Sequence, residues 1–266
     1  CWGELAIKMA YEAGFDGVQL GDGGGSMHAY PLRDRRVQEY YLQAGSDYHI
    51  SFPQIHLYTL GHQCYYRSRL DTLEGQTCLE SIKQGVIAAS EMGVPSVIID
   101  GMRMNNAAKR QHIFQVAQYA VRIGEEYGIQ IGMETDMSME DHISFLDALD
   151  GKLKLCFDAH NPVMYGTGYP PDMIRTLGKN RIDHFHVKES QANEDGFLSV
   201  ETPIVLLGEG CTFFRESAQA VKDIGYEGWI VSENFYFRPN ILAKGYDYVS
   251  AAKRDVETIH AIYGTD

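Results

Sequence analysis

The sequence contains no apolar run as long as the roughly 20 residues that a membrane-spanning helix needs. Cysteine is scarce: Cys1, Cys64, Cys78, Cys156 and Cys211 are an odd number and include no C-x-x-C pair. This pattern fits neither a disulfide framework nor a zinc knuckle, and it favours free thiols in a reducing compartment. We therefore expect a cytoplasmic protein without a membrane partner.

Basic residues are also in short supply. The chain has 23 Lys and Arg residues against 36 Asp and Glu residues, which gives a formal net charge of −13. An acidic protein repels the phosphate backbone of nucleic acids, and no basic stripe stands out in the sequence. We expect no nucleic-acid partner, whereas the charge leaves a small neutral substrate open.

A helical stretch that ends at glycine and is followed by a short apolar strand recurs along the chain. Glycine suits the left-handed turn that ends a helix, so each of these units predicts a helix and then a strand. Such units predict strands at 17–20, 96–100, 129–134, 152–158 and 229–233, and two further strands are predicted at 52–58 and 182–187. Helices predicted between them, notably at 77–91, 107–127 and 214–224, imply parallel pairing through right-handed crossovers.

This alternation predicts an α/β fold, a (β/α)₈ TIM barrel, which usually needs roughly 250 residues. No linker or composition shift interrupts the 266 residues, so we expect a single barrel domain over 1–266. Seven strands are recognised where the barrel needs eight. Because the amphipathic stretch Glu4–Ala13 stands where a first crossover helix belongs, we expect the first strand upstream of Cys1.

Ionisable residues close four of the predicted strands: Glu134, Asp158, His186 and Glu233. Alternate residues of a barrel strand face inward, and functional groups collect at the carboxyl ends of the strands. In the first three of these strands, bulky apolar residues occupy the opposite face. The four groups should therefore converge on the barrel axis. Since three buried carboxylates together need a cation, the pattern predicts a divalent metal site.

Four further residues lie just beyond inward-pointing strand ends, where loops carry substrate contacts: His160, Asn161, Lys188 and Glu209. We expect them to face the same cavity as the metal and to bind the substrate. His56 and Arg103 are weaker candidates, since a structural or solvent-facing position explains each of them equally well.

At the four strand ends the sequence resembles the xylose isomerase-like TIM-barrel superfamily of sugar phosphate isomerases and epimerases, in particular D-tagatose 3-epimerase-like proteins. The matching strings are "IGMETD" with Glu134, "CFDAHN" with Asp158, "DHFHVKES" with His186 and "VSENFY" with Glu233, and the "GEG" that contains Glu209 is similar too. The sequence departs from the epimerases at Asn161, where they have a histidine, although His160 stands beside it. It departs again at Lys188, the nearest basic residue where they use an arginine.

The resemblance implies a metal-dependent sugar or sugar phosphate isomerase or epimerase that moves a proton next to a carbonyl. Glu134 and Glu233 would exchange the proton, and the enzyme would form a homodimer. Three carboxylates and one imidazole make a mainly hard ligand set, so one Mn²⁺, Mg²⁺, Co²⁺ or Zn²⁺ ion is expected. Three alternatives stay open: a dehydratase or lyase, a metal-dependent nuclease of the endonuclease IV kind, and a sugar-binding barrel without activity.

Overall fold

The computed structural model describes residues 3–22, 30–62, 68–102, 107–193, 198 and 202–264. Arg103 and most of the glycine-rich stretch after Gly21 lie outside the described residues. Within those ranges, no helix combines the length and the apolarity that crossing a membrane requires.

Seven parallel strands form one sheet, and each pairs with its neighbours in chain order. Two short strands form a separate antiparallel hairpin. The strands of the sheet are β1 (Leu20–Gly21), β2 (Gln54–His56), β3 (Ser96–Gly101), β4 (Gln130–Thr135), β5 (Leu153–Asp158), β6 (Ile182–Val187) and β9 (Ile230–Ser232), and the hairpin comprises β7 (Glu189–Ser190) and β8 (Ile204–Val205).

Helices occupy the connections between the parallel strands, as the predicted alternation requires. They are α1 (Gly3–Ala13), α2 (Arg35–Tyr48), α3 (Tyr58–His62), α4 (Leu73–Met92), α5 (Ala107–Tyr127), α6 (Met139–Asp147), α7 (Asn161–Tyr165), α8 (Pro170–Leu177), α9 (Phe214–Asp223), α10 (Pro239–Leu242) and α11 (Tyr248–Tyr263).

Glycine ends several helices in the way that the sequence predicts. Gly93 after α4 and Gly128 after α5 both have φ of +70°, a left-handed conformation in which a side chain would be strained. The amide of Gly93 donates to carbonyls of the last turn of α4, and the chain then enters β3. This helix–glycine–strand unit returns the chain to the same edge of the sheet each time.

The predicted strand at 52–58 was too long, because Tyr58 already belongs to α3. The carboxylate of Asp22 explains the early end of β2: it accepts hydrogen bonds from the amide of Thr59 at 2.9 Å and from the Thr59 hydroxyl at 2.7 Å. These bonds satisfy polar groups in the first turn of α3. The hairpin of β7 and β8 was not predicted.

Pairing register aligns the residues that the sequence places on the inward face. Asp100 pairs with Glu134, Glu134 with Cys156, and Asp158 with His186. The alternate residues are buried in the main apolar core, among them Ile131, Met133, Leu155, Phe157 and Phe185. The apolar face thus packs against the helices, and the ionisable residues are left on the other face of the sheet.

The first and last strands of the sheet, β1 and β9, flank an apolar slot. Among the residues that the structure describes, no ladder joins β1 to β9. A cavity of about 490 Å³ lies there, lined by α1, α11 and residues of the two edges, including Val18 and Ile230. All three residues of β9 are only half-buried, unlike the mostly buried β3 to β6. An eighth strand upstream of Cys1 stays a prediction.

Candidate metal centre

Glu134, His186 and Glu233 converge from the carboxyl-terminal parts of three strands of the sheet, β4, β6 and β9. Glu134 lies near the end of β4, His186 in β6, and Glu233 directly follows β9. The Nδ1 atom of His186 lies 3.6 Å from Oε2 of Glu134 and 3.4 Å from Oε2 of Glu233. One nitrogen and two carboxylate oxygens from separate elements are thus close enough to surround one ion.

The spacing of these atoms fits a bound divalent ion. Ligand distances of about 2.0–2.2 Å would separate neighbouring ligand atoms by about 3.0–3.6 Å, the separation found around His186. The Nδ1 atom of His186 is also buried and has no hydrogen-bond partner. A buried nitrogen without a partner between two carboxylates is costly unless a cation lies among them. The donor set of one imidazole and carboxylates suits Mn²⁺, Mg²⁺, Co²⁺ or Zn²⁺.

Asp158, the fourth sequence-predicted ligand, is joined to this cluster through Lys188. The Lys188 ammonium lies 2.7 Å from Oδ2 of Asp158 and 2.6 Å from Oε2 of Glu233. The other oxygen of Asp158 accepts a hydrogen bond of 2.9 Å from the amide of His160. Asp158 therefore contacts the ammonium group of Lys188. Its place in a metal coordination shell stays a prediction.

The two glutamates of the cluster have unlike electrostatic surroundings. Burial, together with the nearby charge of Glu233, raises the pKa of Glu134 to about 7. Burial also acts to raise the pKa of Glu233, but Lys188 and His186 outweigh it, so that the pKa of Glu233 falls well below its usual value. The difference follows from the lysine, which contacts Glu233 directly and lies farther from Glu134.

The two cationic groups respond to the same carboxylates. Burial opposes the charge on His186, yet Glu233 and Glu134 together raise the pKa of its imidazole. Burial opposes the charge on Lys188 as well, but Asp158, Glu233 and Glu134 raise the pKa of its ammonium well above the usual value. The centre therefore stabilises positive charge strongly.

Two of the predicted substrate-binding residues contact the cluster directly, namely Lys188 and Asn161. The side-chain amide of Asn161 donates a hydrogen bond of 2.9 Å to Oε1 of Glu134. His160 is buried beside Asp158, and its Nε2 lies 2.7 Å from the hydroxyl of Ser190. The carboxylate of Glu209 pairs with Lys244 at 2.6 Å, and its contact with a substrate stays a prediction.

Two residues without a predicted role, Asp183 and His184, lie behind His186. The Nε2 atoms of His184 and His186 are 3.3 Å apart, and Oδ2 of Asp183 lies 3.0 Å from Nδ1 of His184. Cys156 completes a second group of possible metal ligands with the two histidines. The parity of the "HFH" string predicts that His184 faces inward, but it gives no sign of the Asp183 contact.

His56, one of the weaker candidates from the sequence, also lies near the candidate metal centre. Its ring centroid is 6.3 Å from that of His186, and its Nε2 is buried without a hydrogen-bond partner. Burial, reinforced by the charge of His186, lowers the pKa of His56 to about 3. Burial therefore favours the neutral form of the His56 imidazole.

Comparisons with known proteins agree with this architecture. An uncharacterized protein of Methanocaldococcus jannaschii is 28% identical over 142 residues, a match that covers 49% of this chain and only 45% of that protein. A crystal structure of the IOLI protein with a bound zinc atom superimposes with a TM-score of 0.77 at 16% identity, covering 98% of this chain and 92% of that one. A D-psicose 3-epimerase determined in the presence of D-fructose gives a TM-score of 0.74 at 14% identity, covering 98% and 94%.

At such low identity, these two structures support the barrel fold alone. The family model described as xylose isomerase-like TIM barrel matches residues 7–254, which is most of the chain. This match and the parallel sheet with its helical crossovers confirm the predicted barrel class and the predicted resemblance. The chain belongs to the xylose isomerase-like TIM barrel family.

Proposed function

We propose that this protein is a metal-dependent sugar or sugar phosphate isomerase or epimerase that moves a proton on a carbon next to a carbonyl. The observation that carries the proposal is the approach of two carboxylates, Glu134 and Glu233, to the same ring nitrogen of His186 from different strands. A divalent cation bound by Glu134, Asp158, His186 and Glu233 would polarise the carbonyl as a Lewis acid.

Glu134 and Glu233 would act as the acid–base pair. One carboxylate removes the proton next to the carbonyl, which leaves a planar enediolate, and the other carboxyl group returns a proton. Return to the opposite face of the same carbon gives epimerisation, and return to the neighbouring carbon gives isomerisation. The unlike surroundings of the two groups favour opposite protonation states, which such a pair needs.

Neighbouring side chains would hold this pair in place and stabilise developing charge. The Lys188 ammonium, between Asp158 and Glu233, supplies positive charge for the enediolate oxygen. Asn161 donates to Oε1 of Glu134 through its side-chain amide, which would hold that carboxylate in its orientation toward His186. His160 and Glu209 remain candidates for contacts with the sugar.

The variant Glu233→Gln tests the proposal, because it keeps the shape of the side chain and removes its charge and basicity. We expect turnover of the best substrate in a panel of ketoses and ketose phosphates, assayed with each of the four metals, to fall by about 10²–10⁴-fold. Exchange of the substrate α-proton with deuterium oxide, followed by NMR, should fall in parallel. Glu126→Gln on the exposed surface of α5 is the matched control and should leave both rates unchanged.

The same panel separates the competing functions. Deuterium exchange followed by loss of water from the sugar would indicate a dehydratase. Cleavage of abasic DNA without ketose turnover would indicate a nuclease, and saturable sugar binding without α-proton exchange would indicate a binding protein. Full ketose turnover by Glu233→Gln with metal bound would rule out Glu233 as an acid–base group.

A further inference from the structure

A β-bulge in β6 brings one acidic and one basic side chain, Asp183 and His184, together next to His186 of the candidate metal centre. The register between β5 and β6 shifts there: Leu155 pairs with Ile182, whereas Cys156 pairs with His184. Asp183 is therefore the extra residue, and a bulge of this kind can turn a side chain away from the regular alternation. Its Oδ2 accepts a hydrogen bond of 2.7 Å from the hydroxyl of Ser96, on another strand of the sheet.

The contacts of His184 determine which of its nitrogens carries the proton. Oδ2 of Asp183, which can only accept as a carboxylate, lies 3.0 Å from Nδ1 of His184, so Nδ1 must donate. The side-chain nitrogen of Gln19, which can only donate, lies 3.0 Å from Nε2 of His184. Both contacts require the same tautomer, in which Nδ1 holds the proton and Nε2 holds a lone pair.

That tautomer in turn determines the state of His186. Nε2 of His186 lies 3.3 Å from Nε2 of His184. Because Nε2 of His184 has no proton in this tautomer, the contact is a hydrogen bond only if Nε2 of His186 carries a proton and shares the lone pair with the Gln19 amide. In a neutral imidazole the other nitrogen, Nδ1, then has a free lone pair. This is the atom that faces Glu134 and Glu233 at 3.6 and 3.4 Å.

We propose that Asp183 and His184 are positioning residues that hold His186 in its Nε2–H tautomer, so that Nδ1 presents its lone pair to the cation between Glu134 and Glu233. The inference rests on the metal site of the proposed function. Both histidine side chains are fully buried, so water does not compete for these hydrogen bonds. An outer hydrogen bond of this kind fixes the ring orientation and makes the ligating nitrogen more basic.

Cys156 supports an alternative interpretation of the two histidines, since its thiol and their rings could themselves bind a metal ion. An ion in that second group would have to replace the proton between His184 and His186. The positioning role and the second metal site therefore differ in the number of ions bound and in the role of Cys156.

Zn²⁺ binding to the whole chain, measured by calorimetry after removal of metal, tests the proposal. We expect one equivalent to bind the wild type, and His184→Ala to raise the dissociation constant about 10–100-fold without changing that stoichiometry. His184→Gln should recover most of the affinity, because its amide oxygen can accept the proton of His186. Cys156→Ala should bind as the wild type does. An unchanged dissociation constant in His184→Ala would overturn the proposal, as would a fall from two equivalents to one in both His184→Ala and Cys156→Ala.

Nitrogen-15 NMR of the metal-free wild type tests the proposal without an activity assay and without a variant, which could fail to fold. At a pH where a titration of the ring shifts shows both rings to be neutral, the shifts should report Nε2–H for His186 and Nδ1–H for His184. A protonated Nδ1 on His186 with a bare Nε2 would overturn the proposal. If no metal binds, the proposed function fails. The NMR measurement of which ring nitrogens are protonated still tests the positioning of His186 by Asp183 and His184. If metal binds as expected and ketoses do not react, only the proposed function fails.

Discussion

Single residues show how strongly contacts determine the charge of a buried histidine. His56 and His142 are both buried. Burial lowers the pKa of His142 to about 4 against the opposing charge of Asp141. His186 is buried more completely, yet Glu233 and Glu134 raise its pKa. Desolvation thus decides the charge at the first two sites, whereas at His186 the paired carboxylates outweigh it.

His142 leads to a prediction about stability and pH. Its pKa is lowered in the folded protein and returns to about 6.5 on unfolding, so the unfolded chain binds the proton more tightly. The contribution of His142 to the free energy of unfolding is fully present above about pH 6.5 and is lost as the pH falls toward 4. Relative to His142→Gln, which cannot titrate, the wild type should lose about 3 kcal/mol of unfolding free energy between about pH 7 and pH 4.

Urea unfolding of both proteins across that range measures the difference. Glutamine is a suitable replacement because its amide can keep the contact that Nε2 of His142 makes with the hydroxyl of Thr135 at 2.9 Å. Parallel pH profiles for the two proteins would show that His142 is not protonated on unfolding in this range.

Among the elements, β4 shows how closely the inner face of the sheet is packed around the centre. A Cβ atom added at Gly132 would lie 2.5 Å from Cδ1 of Ile98 and 3.4 Å from Oδ2 of Asp183. Ile98 is fully buried, so it has little room to move aside. The absence of a side chain at Gly132 therefore allows β3, β4 and the bulge of β6 to approach one another.

Gly132→Ala should consequently destabilise the protein by about 1–3 kcal/mol through overpacking. The double variant Gly132→Ala/Ile98→Val removes the Cδ1 atom that clashes, so it should be more stable than the sum of the two single changes predicts. Denaturant unfolding of the four proteins gives this coupling energy as a double-mutant cycle. Strict additivity would mean that the added methyl group does not meet Ile98.

Elements with a regular pattern could be predicted from the sequence, and irregular ones could not. Alternation of apolar and polar residues gave the bounds of β6 and the shared face of Glu134 and Asp158, because side-chain parity follows directly from strand geometry. The bulge at Asp183 breaks that parity, and nothing in the local composition marks it. The early end of β2 depends on Asp22, which is distant in sequence, so local propensity could not have indicated it.

At the scale of the whole molecule, seven parallel strands bring chain-distant residues to one end of the barrel. Glu134 and Glu233 are about a hundred residues apart in the sequence, and strand order alone makes them neighbours of His186. Sequence reasoning could predict this convergence because the carboxyl ends of parallel strands share one edge. It could not predict that Lys188 would lie between two of the carboxylates, since that depends on side-chain conformation.

The central claim is that one divalent cation binds among Glu134, His186 and Glu233. Crystals soaked in Mn²⁺ test it most directly, because anomalous scattering locates the ion without assumptions about activity. We predict one strong peak at about 2.0–2.3 Å from Nδ1 of His186 and from carboxylate oxygens of both glutamates. No peak at that position, or a peak only between Cys156 and His184, would contradict the account.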